Sequence, residues 1–175
     1  MAAAGFDPFI DRRAREIRNG LSKVFIHALD VNNPEPFRRA GQELLGRTLP
    51  PGHRSYVTER LTRYERLFSQ SSRDPLSQAL TLWDNDLFFE AHERLESLWR
   101  EATGGERLAL QGLIKAAGAY VHLERGNVAV AGRLARKALA LLREHQGSLP
   151  PAIVPASLLE KLEALDPAPP CLSRY

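Results

Sequence analysis

A histidine and three carboxylates share one short stretch of this chain, Phe88-Phe89-Glu90-Ala91-His92-Glu93-Arg94-Leu95-Glu96-Ser97-Leu98-Trp99. Five large apolar side chains run through the same stretch, so it reads as an amphipathic helix with ionisable groups close to its core face. Charge in that position costs free energy unless it is paired, protonated or bound to something. His92 and Glu96 stand one helical turn apart, close enough to hydrogen-bond or to hold a cation jointly. The run His92-Glu93-Arg94-Leu95-Glu96 has the form HExxE, a relative of the zinc-protease pattern HExxH with a glutamate in place of the second histidine.

A second polar line lies further on. Residues 106–124 are apolar around most of the helical circle, which marks the central helix of a bundle. Gln111, Lys115 and His122 interrupt it within a stripe about 40° wide. Gly112, Gly118 and Ala119 beside that stripe leave room for a close neighbour or a ligand. An ordered polar line on a core helix has to be satisfied, and the helix before it offers Glu93, Glu96 and His92, with Lys115 expected to ion-pair with a glutamate. Two chemistries are open. One is a polar pocket of His92, Glu93, Glu96, Gln111, Lys115 and His122 against Trp99, with Glu90 and Arg125 as further pocket residues, that orients a ligand. The other is a His92–Glu96–His122 metal set with Glu93 as general base. The ammonium of Lys115 works against the second.

These residues need helices to position them, and nearly every segment has a helical period; β-branched alternation is almost absent. The spacing predicts helices over Asp11–Leu29, Glu35–Leu45, Ser55–Phe68, from Asp74-Pro75 through Trp83, then Leu87–Ala102, Glu106–Glu124, Val128–His145 and Ala156–Leu165. Asn32-Asn33-Pro34, Pro50-Pro51-Gly52, Gly104-Gly105 and Gly126-Asn127 serve as the breaks. Asp166–Tyr175, with three prolines, is expected to be extended or mobile. Helix, Asp84-Asn85-Asp86, helix is echoed at an offset of about 41 residues by helix, Arg125-Gly126-Asn127, helix, a mark of stacked hairpins. His27, His53 and His145 lack partners in sequence and read as ordinary.

Composition sets the remaining bounds. The chain has 175 residues, enough for one compact domain without disulfide staples. Cys171 is its one cysteine; no intrachain disulfide can form, and a reducing, cytoplasmic setting is expected. No stretch approaches the apolar length of a bilayer span, and Met1–Ile10 lacks the basic-then-apolar order of a secretory signal. The formal charge of +3 is unevenly spread, with basic flanks around an acidic centre. Basic and acidic residues interleave on those flanks, which favours solvated helix faces over a nucleic-acid surface.

Several words of the sequence, in order, resemble the domain-of-unknown-function family DUF309. They are Phe88-Phe89-Glu90-Ala91-His92-Glu93, Leu95-Glu96, Trp99, Leu110-Gln111-Gly112-Leu113-Ile114, Tyr120-Val121-His122 and Arg125-Gly126-Asn127. The resemblance covers roughly residues 76–143. It implies an all-helical fold similar to tetratricopeptide hairpins, with no established biochemical role. Its signature positions fall on Glu90, His92, Glu93, Glu96, Trp99, Gln111, His122, Arg125 and Asn127. Where the family often has glutamine after Leu-Ile, this chain has Lys115, which weakens a metal carry-over.

The resulting expectation is an all-α protein of stacked antiparallel helical hairpins. Residues 1–72 form a helical extension, 73–146 the DUF309-like core and 147–175 a short helix and tail, all in one compact domain. The function expected is a binding or scaffold module with a protein or small-molecule partner or a second copy of itself, and no cofactor; the alternative is a metal-dependent, hydrolase-like enzyme using a divalent ion.

Overall fold

The computed structural model describes residues 5–172, and in them the chain folds as eight α-helices without strands. Contacts divide it into two compact units, up to Arg73 and from Asp74 onward.

The first unit holds α1 (Arg12–Val31), α2 (Glu35–Leu45) and α3 (Pro51–Gln70). Asp11 caps α1 by accepting the backbone N–H of Arg13, and Asn32 ends it in the left-handed conformation at φ 52°. The expected Pro50-Pro51-Gly52 break is shorter than predicted. Pro51 is the first residue of α3, where its missing N–H costs nothing, so Gly52 and His53 are helical. The core is aromatic: Phe25 stacks on Tyr64 with centroids 3.9 Å apart, and Phe37 meets both rings edge-on. Gly41 lets α2 approach α3 closely, since a Cβ there would run into Leu61. His53 is not partnerless. Its Nε2 lies 2.8 Å from Asp11 Oδ2, and its buried ring meets Phe6 edge-on.

The second unit holds α4 (Pro75–Asp84), α5 (Phe88–Glu101), α6 (Gly104–Leu123), α7 (Val128–Glu144) and α8 (Pro155–Ala164). Each helix packs chiefly on its neighbours in sequence. Asp74 caps α4 through the backbone N–H of Ser77, with Pro75 at the first helical position. Gly104-Gly105 begins α6 rather than ending α5; the link between the two is Ala102-Thr103. The core gathers Trp83, Phe88 and Tyr120, with centroids 5.2–5.4 Å apart. Along α6, Ala109, Leu113, Ala116 and Ala117 are fully buried, as expected of a central helix.

Two expectations need correction here. The tail is non-helical but held. The indole Nε1–H of Trp83 donates to the carbonyl of Pro170 at 2.9 Å, the N–H of Leu172 donates to Asp84 Oδ1 at 2.6 Å, and the Leu172 side chain is buried. Residues 173–175 lie outside the described residues. The second correction concerns the internal repeat, whose structural offset is 40 residues. Asp86 and Gly126 take matching positive φ values of 56° and 71°. Leu87 N–H donates to Leu82 O as Asn127 N–H donates to His122 O. The turn geometry therefore equates Leu87 with Asn127, where the apolar pattern alone pairs it with Val128.

Candidate functional site

Helix α5 sorts its polar residues by face. Glu90 and Arg94, one turn apart, are 0% and 4% exposed. Arg94 also lends positive charge to Asp74, whose carboxyl lies below its ordinary value chiefly because the backbone and hydroxyl of Ser77 donate to it. His92, Glu93 and Glu96 are half-buried on another face of the same helix. His92 Nδ1 is 3.6 Å from Glu93 Oε1, and His92 Nε2 is 3.9 Å from Glu96 Oε1. Nδ1 is buried and makes no hydrogen bond within the described structure. Phe89 lies parallel to the imidazole, one turn earlier, with ring centroids 6.4 Å apart. Arg100 reaches back to Glu96 at 3.6 Å.

These three side chains can offer one ligand atom each, all within 4.8 Å of one another. His122 is not part of any such group among the described residues, so the expected His92–Glu96–His122 metal set is not assembled. The register of the hairpin explains this. Phe88 packs on Tyr120, and α6 runs back along α5, so later residues of α5 meet earlier residues of α6. His122 then lies level with the turn before α5, about 9 Å along the axis from His92 at 1.5 Å per residue.

The other expected members take separate places. Glu90, expected in the pocket, is fully buried. Gln111 and Lys115 are half-buried on α6, and among the described residues no ion pair joins Lys115 to a glutamate. Arg125 sits in the α6–α7 turn. Asn127 occupies the N-cap position of α7 without a side-chain capping bond. The gap expected beside Gly112 and Gly118 is filled by α7: a Cβ at 112 would meet Leu142 Cγ at 2.8 Å, and one at 118 would meet Leu134 at 3.4 Å.

Trp99 belongs to a different construction. The Arg107 guanidinium lies 3.8 Å over its ring and donates to the carbonyls of Trp99 at 2.7 Å and Ala102 at 3.3 Å. One side chain from α6 thus caps the end of α5 and covers its tryptophan. Sequence reasoning missed Arg107, because its reach spans the hairpin turn and follows no helical period. It also missed Arg100, which the spacing of four from Glu96 could have flagged.

The class defined by this geometry is an all-α protein with a half-exposed histidine–glutamate cluster on one helix of its second unit. Residues 76–134, a third of the chain, match the family model described as Domain of unknown function (DUF309). No curated protein and no solved structure matches the chain. Among the described residues no helix is long and apolar enough to cross a membrane.

Proposed function

We propose that the second unit is a helical binding module, similar in build to tetratricopeptide hairpins, and that His92, Glu93 and Glu96 are its contact group. The observation that carries this reading is the convergence of three polar side chains within 4.8 Å on a half-exposed face, beside an imidazole nitrogen that makes no hydrogen bond in the described structure. Phe89 and Arg100 extend the group along the same helix. A cationic or hydrogen-bond-donating ligand fits two carboxylates and an imidazole acceptor.

The test separates binding from folding. His92→Ala and Glu96→Ala are expected to leave stability within about 0.5 kcal/mol of the parent, because both side chains are partly solvated. Pull-down of partners from the native host's extract is expected to fail with either variant. Retention of the same partners by both variants would remove this face from the reading.

One observation favours a second reading, in which the group holds a divalent cation. Nitrogen and oxygen ligands lie about 2 Å from zinc, so no two can be more than ~4 Å apart; the group needs only a small rotation of its glutamates to close. In that reading Glu93 is a ligand and not a base. Calorimetric titration with zinc is expected to give one site lost in His92→Ala, and a flat titration of the parent excludes it.

A further inference from the structure

Away from that cluster, in the first unit, an open cleft of about 350 Å³ runs between α1 and α2. Its volume lies at the lower end of the ~300–1,000 Å³ typical of small-molecule pockets. The Asn32-Asn33-Pro34 turn reverses the chain, so the helices are antiparallel; at the far end Arg13 reaches the Thr48 carbonyl beside Arg47, and Val24 and Ala40 line the cleft nearer the turn. The two ends therefore differ. Toward Gly20 the lining is apolar, with Ile17, Leu21, Val24 and Leu44. Toward Leu49 it is cationic.

The charges are not balanced within the cleft. Its two acids are already engaged from outside, Glu16 by Arg12 at 2.8 Å and Glu43 by Arg39 at 3.1 Å. Arg13 donates to the Thr48 carbonyl at 2.7 Å and Arg54 to the carbonyls of Leu45 and Arg47. Among the described residues neither Arg13 nor Arg47 makes an ion pair. Three guanidinium groups thus surround the turn that closes one end.

Gly20 supplies the independent observation. It sits in the middle of a 20-residue helix, where glycine is the poorest choice after proline. No close packing requires it, since a Cβ at this position would meet nothing within 4 Å. Any larger side chain would project into the cleft. The absence of one keeps the apolar end open.

We propose that this cleft binds a single-chain fatty acid, with its carboxylate between Arg13 and Arg47 and its hydrocarbon chain along α1 past Gly20. Bidentate guanidinium recognition of a carboxylate and burial of methylene groups are the two interactions the ends provide.

The probe is decanoate below its micelle concentration, titrated into the full chain and followed by backbone amide shifts. The expected result is saturable shifts confined to residues 13–24 and 40–49. Gly20→Leu is expected to weaken binding by roughly tenfold or more while its Tm is unchanged or higher, because leucine favours the helix. Arg47→Gln is expected to weaken decanoate severalfold and to leave decanol unaffected. Absence of saturable shifts overturns the proposal, as does equal affinity for decyltrimethylammonium or undiminished binding by Gly20→Leu. A concentration-dependent dimer that Gly20→Leu dissolves, without decanoate shifts, assigns the cleft to a second copy of the chain and also overturns it.

Discussion

Tyr120 is the residue whose surroundings make the sharpest demand. Its ring is 1% exposed, and its hydroxyl makes no hydrogen bond among the described residues. Burial, aided by the negative charge of Asp166, pushes its phenol up to about 12. An unfolded chain would release that proton near pH 10. Stability is therefore unaffected by this titration below pH 10 and falls as pH rises toward 12, because the unfolded state deprotonates first. Tyr120→Phe should raise stability by about 1 kcal/mol at neutral pH, by removing an unsatisfied polar atom. It should also flatten the alkaline loss, and urea melts at pH 7 and pH 11 measure both effects. Asp74 behaves in the opposite sense. Its carboxyl is depressed, so its stabilisation is present at neutral pH and fades as pH falls below the ordinary carboxylate range. Asp74→Ala should cost about 1 kcal/mol through loss of the cap, and Asp74→Asn much less, by thermal melting at pH 7.

The candidate site was half legible at this scale. A turn of helix separates His92 from Glu96, and helical geometry alone brings them together. Membership of His122 depended on register across the hairpin, which the packing of Phe88 on Tyr120 decides. Helical spacing puts Glu90 and Arg94 one turn apart, but it does not tell whether their side of the helix faces the interior, because α4 and α6 both cover α5.

Among the elements, the α6–α7 seam is a close one. Small residues line it on both sides, with Ala109, Gly112, Ala116 and Ala119 on α6 and Ala131, Ala135 and Ala138 on α7, all buried. Gly112 meets Leu142 so closely that even one methyl group requires that leucine to shift. Gly112→Val should therefore destabilise by about 1–3 kcal/mol through overpacking, with a β-branched penalty in the helix besides; denaturant titration gives the value. Helix existence was readable from periodicity for all eight helices. Helix ends were less so. Proline at position 51 and the glycines at 104 and 105 are breakers by composition, yet each begins a helix, because a first turn lacks the backbone bonds that proline forfeits. The tail is non-helical as expected, and only its anchoring was not legible. Its prolines forbid a helix, but they do not prevent the carbonyl of Pro170 from accepting the Trp83 indole.

For the whole molecule, the division at Arg73 has a direct readout. Arg73 is exposed in a short non-helical stretch between α3 and α4. Limited trypsin digestion should cut there early and leave two persistent fragments, near residues 1–73 and 74–175, because cleavage favours exposed irregular backbone over packed helix. Rapid loss of one fragment would show that its fold depends on the other.

The two tryptophans bear on how any such measurement is read. Trp83 lies in the α4 core, sealed by the chain's last described residues, and Trp99 lies beneath Arg107. The chain has no third. Intrinsic indole emission is consequently silent about everything before residue 74. A fluorescence melt reports one half of the protein, and only a backbone signal such as far-ultraviolet dichroism sees the rest. Divergence between the two curves would be the optical signature of a molecule that comes apart in separate steps.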